Sequence, residues 1–325
     1  MDIMVTGAAG FIGSTLSLKL LSLGHRVIGV DNLTDYYDVT LKKNRLARLV
    51  HPNFSFELTD ITQKNELEAV FLKYNIQIVV HCAAQVGVRY SVTHPDSYAE
   101  TNLLGFTYIL EACRHHHIEH LIFASSSSVY GANTQLPFSE QDTTDHPCSL
   151  YAATKKANEL MAYSYAHLYQ LPCTGLRFFT VYGPWGRPDM AVFDFTHNII
   201  NEKPITVFNQ GEMLRDFTYI DDIVDGIIQV IPKMSKNDIP CQIYNLGNSQ
   251  PIELNYFIST LEKNIGKKAL IEYRSMHRAD VVGTYANMTA FEENVAKLPH
   301  TPIEVGIKKF VEWYKAYYPI HETII

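Results

Sequence analysis

Short apolar runs alternate with amphipathic segments through the first half of the chain. Two runs, residues 3–5 and 27–30, predict buried strands, and the leucines between them follow a helical period that stops at Gly24. The same alternation predicts strands at residues 54–58, 78–81, 121–124 and 174–179, and helices near residues 64–74, 98–114 and 151–169. Strands that alternate with helices form a parallel sheet covered on both faces. The sequence therefore predicts an α/β fold with a doubly wound parallel sheet of the Rossmann type.

Beyond the last of these predicted strands, the alternation is lost. Glycine and proline interrupt the chain repeatedly, at Pro184, Gly186, Pro188 and Pro204. A late apolar run, residues 243–246, indicates a return to the sheet. We therefore predict a Rossmann domain of residues 1–180 with a returning segment at about 212–247. Residues 181–211 and 248–325 are predicted to form a smaller C-terminal domain from separate pieces.

Composition and charge narrow the possible partners. Hydrophobic residues make up 46% of the 325 residues and charged residues 19%, which is typical of a globular chain with a sizeable core. The formal net charge of -7 predicts no general attraction to nucleic acid or to anionic lipid. Five scattered cysteines without a CxxC pair indicate a reducing compartment, and no apolar run reaches the roughly 18 residues of a membrane span. We expect a cytoplasmic protein with no nucleic-acid or membrane partner.

The first loop carries a nucleotide-binding pattern. Gly7, Gly10 and Gly13 form a GxxGxxG sequence that follows a predicted strand and opens a predicted helix. Glycines there allow a tight turn and a close approach of backbone N–H groups to a pyrophosphate at the positive end of the helix. Asp31 ends the second predicted strand, where a carboxylate can accept hydrogen bonds from the adenosine ribose. Because an acid repels a 2′-phosphate, the pattern favours NAD over NADP.

A second pattern predicts catalytic groups. Tyr151 and Lys155 stand four residues apart on a predicted helix, so the phenol and the ammonium share one face. A nearby cation stabilises phenolate, and we expect Lys155 to lower the pKa of Tyr151 towards the range of a general base. Ser126 follows another predicted strand, and the carboxyl ends of parallel strands are where such sheets bind ligands. The Ser126 hydroxyl is predicted to contact the reacting oxygen of the ligand alongside the Tyr151 phenol.

Taken together, these elements resemble the extended short-chain dehydrogenase/reductase family over nearly the whole chain. Residues 31–38, 124–131, 149–159 and 177–191 are similar to the UDP-glucuronate 4-epimerases in particular. The resemblance implies that Ser126, Tyr151 and Lys155 are the catalytic residues. It also implies that NAD is bound by Gly7, Gly10, Phe11, Ile12, Gly13, Asp31, Asn32, Asp60, Ile61, Ala83, Ala84, Gln85, Asn102, Tyr151 and Lys155.

The two residues that directly follow Ser126 help to distinguish the types of reaction catalysed within this superfamily. Nucleotide-sugar dehydratases carry Asp and Glu there, and UDP-glucuronate decarboxylases usually present a glutamate at the second position, whereas this chain has Ser127 and Ser128. Two neutral hydroxyl donors suit a carboxylate without like-charge repulsion. Thr180 replaces the asparagine of UDP-galactose 4-epimerases and offers another hydroxyl. Elimination and decarboxylation are both disfavoured.

Several charged residues are candidates for the nucleotide sugar. Arginine suits bidentate contacts with oxyanions, and Arg187 is predicted to reach the sugar carboxylate. By resemblance, Arg215 grips the UDP phosphates, Arg89 is a further sugar contact, and Asp280 aligns with a residue that holds the uridine ribose. The loop around Asp280 departs from the usual family sequence, which leaves the part played by Arg278 open.

The resulting prediction is an isomerase, a UDP-glucuronate 4-epimerase. It would convert UDP-glucuronate to UDP-galacturonate through a 4-keto intermediate, with NAD retained and the C-terminal domain binding the nucleotide sugar. Alternatives are a UDP-glucose/UDP-galactose 4-epimerase, a UDP-glucuronate decarboxylase, or a non-catalytic NAD-responsive binding protein on the same fold. The family implies a homodimer through the helices near residues 98–114 and 151–169. Adjacent histidines at 115–117 point in different directions around a helix, and we expect no metal site.

Overall fold

The computed structural model describes residues 1–275 and 283–319. Its strands are β1 Asp2–Thr6, β2 Arg26–Asp31, β3 Phe54–Leu58, β4 Ile78–His81, β5 His120–Ser126, β6 Cys173–Phe178, β7 Thr180–Tyr182, β8 Pro204–Phe208, β9 Leu214–Tyr219, β10 Cys241–Leu246, β11 Pro251–Glu253, β12 Leu270–Arg274 and β13 Gly283–Thr284. Its α-helices are α1 Phe11–Ser22, α2 Val39–Ala47, α3 Lys64–Lys73, α4 Tyr90–Thr93, α5 Pro95–Tyr98, α6 Phe106–His115, α7 Leu150–Tyr169, α8 Ala191–Ile200, α9 Ile220–Val230, α10 Leu254–Ile265, α11 Thr289–Asn294 and α12 Ile303–Tyr317.

Seven parallel strands form the main sheet in the order β10-β6-β5-β4-β1-β2-β3. Successive strand residues point to opposite faces, and both faces are buried: Ile3 and Val5 belong to one hydrophobic cluster, whereas Met4 belongs to the other. This explains why the strands read as continuous apolar runs rather than as alternating ones. The predicted α/β doubly wound class is confirmed.

The later strands form two smaller sheets. β9 pairs with β7, β11 and β13, and β8 pairs in parallel with β12. β10 returns to the edge of the main sheet beside β6, as the apolar run near its end predicts. Among the residues that the structure describes, no helix is long and apolar enough to cross a membrane.

The helix predicted near residues 98–114 is not one regular α-helix. A π-helical turn, Ala99–Gly105, joins α5 to α6, so the segment is helical as predicted but its first part is of the π type. The Asn102 side chain in this turn bonds both backbone groups of Gln85, accepting from its N–H at 2.8 Å and donating to its carbonyl at 3.0 Å. Wide turns of this kind are frequent at functional sites. Here the turn holds the loop after β4.

A buried ion pair fixes α7 against the sheet. Arg177 on β6 donates from Nε and Nη2 to the two carboxylate oxygens of Glu159 on α7, both at 2.8 Å, and each side chain is only 4% exposed. The Ser125 hydroxyl on β5 donates to the same carboxylate at 2.7 Å. Burial alone would raise the pKa of Glu159, but Arg177 and these hydrogen bonds outweigh it and hold the pKa below its usual value.

We predict that Arg177→Met lowers the free energy of unfolding by about 3–5 kcal/mol, because it leaves the Glu159 carboxylate buried without its cation. Urea unfolding at neutral pH measures the change. The double variant with Glu159→Leu removes both charges and is expected to recover most of the loss. A single variant as stable as the wild type would contradict this account of the pair.

Candidate active site

A cleft of about 970 Å³ runs along the carboxyl edge of the main sheet. It is lined by most of the residues predicted from the sequence, namely Gly7, Gly10, Phe11, Ile12, Gly13, Asp31, Asn32, Ile61, Ala83, Ala84, Gln85, Arg89, Ser126, Ser127, Ser128, Tyr151, Lys155, Thr180, Arg187 and Arg215. Asp60 and Asn102 lie behind this lining, and Asp280 and Arg278 lie outside the described residues. The fold therefore brings segments that are distant in sequence to one surface.

The glycine loop after β1 is packed too tightly for side chains. Gly7 has a φ of +71°, and a Cβ atom on it would lie 2.8 Å from the backbone nitrogen of Ala83. A Cβ atom on Gly13 would lie 2.1 Å from the carbonyl oxygen of Gly7. α1 begins directly after Gly10, which places the positive end of the helix at the cleft. This backbone surface is suited to a pyrophosphate.

Asp31 ends β2 with its carboxylate almost fully buried. It accepts hydrogen bonds from the backbone N–H groups of Ala9, at 3.0 Å, and of Leu33, at 2.8 Å. Next to it, the amide of Asn32 donates to Asp60 at 2.8 Å. Asp60 therefore positions Asn32 rather than facing the cleft, and Asn102 acts on the backbone of Gln85 in the same indirect way.

Ser126, Tyr151 and Lys155 are brought together where β5 ends and α7 begins. The Ser126 hydroxyl caps the short 3₁₀-helix Ser127–Tyr130 by accepting from the Ser128 N–H at 3.1 Å, and it lies near enough to the Tyr151 phenol to act towards lowering its pKa. One turn further along α7, the Lys155 ammonium donates to the carbonyl of Ala124 at 2.8 Å. Lys155 is buried despite its charge, with 2% of the residue exposed.

The expected lowering of the Tyr151 pKa by Lys155 is wrong for this arrangement. Burial raises the pKa of the phenol, and Asp189 acts in the same direction; the Ser126 hydrogen bond and the Arg187 charge only partly offset this. Lys155 is directed at the Ala124 carbonyl, and burial lowers the pKa of its own ammonium to about 8. The sequence spacing gave the right neighbours but not the dominant effect, which is desolvation.

Three arginines also line the cleft. Arg187 is held by Asp189 through two bonds, Nε to Oδ1 at 2.9 Å and Nη2 to Oδ2 at 2.6 Å. The Arg215 guanidinium donates to the Leu214 carbonyl at 2.8 Å, and Arg89 stacks on the ring of Phe208 at 4.3 Å. Positive groups in a cleft are suited to phosphates and carboxylates.

The strand that carries Arg215 is anchored by its next residue. Asp216 is fully buried and accepts from the backbone N–H groups of Asn248, Ser249 and Ala286, at 2.7, 3.0 and 3.0 Å. These bonds join β9 to the segments that follow β10 and β13. The position of Arg215 in the cleft is thereby fixed by backbone contacts.

Comparison with known proteins decides the family. The NAD dependent epimerase/dehydratase family matches residues 3–247. The chain belongs to this family. Protein CapI from Staphylococcus aureus is 49% identical over 98% of this chain and 99% of its own, and a probable UDP-glucuronate 4-epimerase from Rhizobium meliloti (strain 1021) is 42% identical over the full length of both.

A solved structure extends the match to three dimensions. The crystal structure of UDP-glucuronic acid 4-epimerase from Bacillus cereus, in complex with UDP-glucuronic acid and NAD, superposes with a TM-score of 0.91. It is 33% identical to this chain, and the match covers 98% of this chain and all of that one. The predicted family and its cofactor, NAD, are confirmed, and the predicted enzyme class, an epimerase, agrees with these relatives.

Several functional residues of this epimerase-family protein were not found from sequence. α2 was not predicted, although Asp38 caps it by accepting from the Thr40 N–H at 2.8 Å. Lys42 on α2 lines the cleft while only 5% exposed. Arg45, one turn further, is fully buried and donates to the carbonyls of Ala9, Trp185 and Gly186. It ties the glycine loop to the loop before Arg187. Asp38 at an N-cap was the available signal.

A further residue that lines the cleft, Tyr36, was also not predicted from the sequence.

Residues 1–275 and 283–319 contain no group of three or more His, Cys, Asp or Glu side chains that could hold a metal ion.

The charge of Lys155 is predicted to oppose folding. Its folded-state pKa of about 8 lies below the ordinary 10.5, so the cost of burying the ammonium is full below pH 8 and disappears as pH rises to 10.5. We expect Lys155→Met to stabilise the NAD-free protein at pH 7 by about 2 kcal/mol, after allowance for the lost bond to Ala124. This advantage of the variant should shrink as the pH rises above 8 and be gone by pH 10.5, where only the lost bond to Ala124 remains.

Urea unfolding across this pH range measures the effect. Lys308→Met is the matched control, because the Lys308 side chain is 68% exposed and its charge remains in water. A Lys155→Met variant less stable than wild type at pH 7 would mean that the hydrogen bond to Ala124 outweighs the burial of charge.

Proposed function

We propose that this protein is an NAD-dependent UDP-glucuronate 4-epimerase that interconverts UDP-glucuronate and UDP-galacturonate. The observation that carries the proposal is the wall of the cleft beside Tyr151. Hydroxyl groups of Ser127, Ser128 and Thr180 line it together with Arg187, without an acidic side chain directly after Ser126. Such a wall can bind a sugar carboxylate without like-charge repulsion. The match to the Bacillus cereus enzyme supports the same substrate.

The cleft also fits NAD. The glycine loop, which has no room for a Cβ atom at Gly7 or Gly13, would hold the pyrophosphate at the start of α1. Asp31 and Asn32 line the part of the cleft where the adenosine ribose would lie. When bound, NAD supplies a reversible hydride acceptor for carbon 4 of the sugar.

In the proposed reaction, Tyr151 takes the proton of the 4-hydroxyl while carbon 4 loses its hydride. Ser126, which lies near the phenol, stabilises the charge that develops on the sugar oxygen. The buried Lys155 ammonium supplies positive charge on the same wall. The 4-keto sugar then rotates within the cleft so that its other face is presented. Hydride returns to that opposite face, and Tyr151 returns the proton.

We also propose that the UDP group stays anchored while the sugar turns. Arg215, fixed by the backbone bonds around Asp216, lines the cleft with Arg89, and both carry charge suited to the diphosphate. Residues 181–211 and 248–325 would then form the domain that holds the nucleotide sugar. Residues 1–180 and the returning segment at about 212–247 would hold the cofactor.

The proposed intermediate is a β-keto acid, which loses carbon dioxide readily. Decarboxylation requires the bond to the carboxylate to lie parallel to the π orbitals of the ketone. Hydroxyls at Ser127, Ser128 and Thr180, with Arg187, can hold the carboxylate away from that orientation. We propose that this restraint separates epimerisation from decarboxylation.

The product of the reaction tests the proposal. Purified protein incubated with UDP-glucuronate and no added NAD is expected to yield UDP-galacturonate, followed by proton NMR, because the cofactor is regenerated in each cycle. Tyr151→Phe should lower the rate by about 10²–10⁴-fold, since it lacks the acid–base group. UDP-glucose and the release of carbon dioxide are assayed in parallel. Equal or faster turnover of UDP-glucose, or a pentose nucleotide as the main product, would refute the assignment.

We further propose a homodimer through α6 and α7. Leu160, Tyr163 and Leu168 fall on one face of α7 and are 60%, 51% and 61% exposed, and Leu104 on the adjoining π-helical turn is 43% exposed. The opposite faces of these helices pack on the same side of the sheet. A second copy of the same surface would bury these apolar side chains around a two-fold axis.

Light scattering tests the dimer. The wild type is expected to elute as a dimer and Leu160→Glu/Leu168→Glu as a monomer, because buried carboxylates would face each other across the interface. Leu72→Glu is the matched control, since Leu72 lies on α3 and is 74% exposed. A monomeric wild type, or a double variant that stays dimeric, would rule out this interface.

A further inference from the structure

The loop between β2 and α2 contacts the proposed substrate end of the cleft. Its Tyr36 hydroxyl donates to Oδ2 of Asp189 at 3.1 Å, the same oxygen that accepts from Nη2 of Arg187 at 2.6 Å. All three side chains line the cleft. A residue only a few positions after Asp31 therefore shares a carboxylate with the arginine proposed to hold the sugar carboxylate.

Tyr36 is itself held in place. Its ring packs edge-on against Tyr90 at 4.8 Å and against Tyr37 at 6.0 Å between centroids. A Cβ atom on Gly87 would lie 2.6 Å from the Tyr36 oxygen, so the loop after β4 leaves no room for a larger residue there. Burial, with the neighbouring Asp189, holds the pKa of this phenol well above its usual range. The hydroxyl therefore remains a donor.

Asp189 determines which edge of Arg187 a ligand can meet. The carboxylate engages Nε and Nη2, and the two side chains are 28% and 21% exposed. The edge at Nη1 is then the one that a second carboxylate can approach. Because the guanidinium is planar, fixing one edge also fixes the direction of the other.

The Tyr36 hydroxyl that donates to Asp189 also limits how strongly the Asp189 carboxylate neutralises Arg187. Burial alone would raise the pKa of Asp189, but Arg187 and the hydrogen bonds from Arg187 and Tyr36 hold it below its usual value. The pair is thus ionised, and Asp189 divides its hydrogen-bonding capacity between Arg187 and Tyr36.

We propose that Tyr36 is a positioning residue that acts through Asp189 to hold Arg187 against the sugar carboxylate and so suppresses decarboxylation of the 4-keto intermediate. This inference rests on the proposed function. Tyr36 does not touch the reacting atoms; it fixes the carboxylate of Asp189, which fixes the guanidinium. Loss of its hydroxyl leaves Asp189 free to change rotamer and to take Arg187 with it.

The competing reaction has a defined balance. The C5–C6 bond of the 4-keto hexuronate breaks, carbon dioxide leaves, and the electron pair of the bond forms the enolate of the 4-ketone. Water then supplies a proton to carbon 5, which gives a UDP-4-keto-pentose, with the two electrons from carbon 4 left on the cofactor. Each decarboxylation releases one molecule of carbon dioxide, so the amount of carbon dioxide gives the number of decarboxylations.

The experiment measures how the substrate partitions. Holoenzyme variants are incubated with UDP-glucuronate labelled with ¹³C at carbon 6, and NMR counts labelled carbon dioxide and bicarbonate against labelled UDP-galacturonate. Tyr36→Phe is expected to raise the decarboxylated fraction about tenfold over wild type, the effect of one lost hydrogen bond to a charged group. Asp189→Asn should raise it at least as much.

A double variant and a control separate positioning from general damage. Tyr36→Phe/Asp189→Asn is expected to match Asp189→Asn alone, because both act through Arg187. Tyr74→Phe removes another tyrosine-to-carboxylate bond, 2.5 Å to Glu57, away from the cleft, and should leave the fraction unchanged. A merely structural role for Tyr36 would lower bound NAD and slow both products in the same proportion.

The outcomes are distinguishable from failure of the proposed function. A wild type that makes no UDP-galacturonate refutes the proposed function and this inference with it. A wild type that epimerises, together with a Tyr36→Phe holoenzyme of unchanged partition, overturns the inference alone. Because Tyr36→Phe removes a single oxygen at the rim of the cleft, it decides the question even where Asp189→Asn fails to fold.

Discussion

The candidate active site depends on the attachment of α7 to the end of β5. Two polar contacts cross between them: the Lys155 ammonium donates to the Ala124 carbonyl, and Glu159 accepts from the Ser125 hydroxyl while Arg177 neutralises it. Ser126 directly follows the two strand residues that are held in this way, and Tyr151 lies one turn before Lys155. The position of Ser126 near Tyr151 is therefore set by contacts that neither of them makes.

The same attachment explains the electrostatics of the site. Holding α7 against the sheet buries the ends of Lys155 and Tyr151. Burial lowers the pKa of the Lys155 ammonium to about 8 and raises the pKa of the Tyr151 phenol. The Tyr151 phenol is therefore uncharged, and the Lys155 ammonium beside it gives up its proton more readily than an exposed lysine would. The packing of the fold compensates for the cost of burying these groups. Positive charge near the phenol, that of Arg187, acts in the opposite direction to burial and favours its ionised form.

Much of the main sheet could be predicted from sequence because its strands are buried on both faces and read as apolar runs; strand β3 agrees with its prediction at both ends. The π-helical turn could not be predicted, since it depends on Asn102 reaching the distant backbone of Gln85. For the same reason Tyr36 and Arg45 were missed: their partners, Asp189 and Trp185, are remote in sequence. Spacing identified Tyr151 and Lys155 as neighbours, but the direction of a pKa shift depends on burial, which spacing does not contain.

The wall of the cleft that is proposed to bind a carboxylate must satisfy two opposing requirements, substrate binding and a low cost of burying charge. It needs positive charge to hold the substrate, yet an isolated buried guanidinium would cost folding free energy and would hold any anion indiscriminately. Pairing Arg187 with Asp189 reduces that cost and leaves one edge of the guanidinium for the ligand. Neutral hydroxyls at Ser127, Ser128 and Thr180 can then add hydrogen bonds without further charge. Under the proposed function, selectivity for an acidic sugar would follow from geometry on one arginine edge, and a residue as remote as Tyr36 would then influence the fate of the carboxylate.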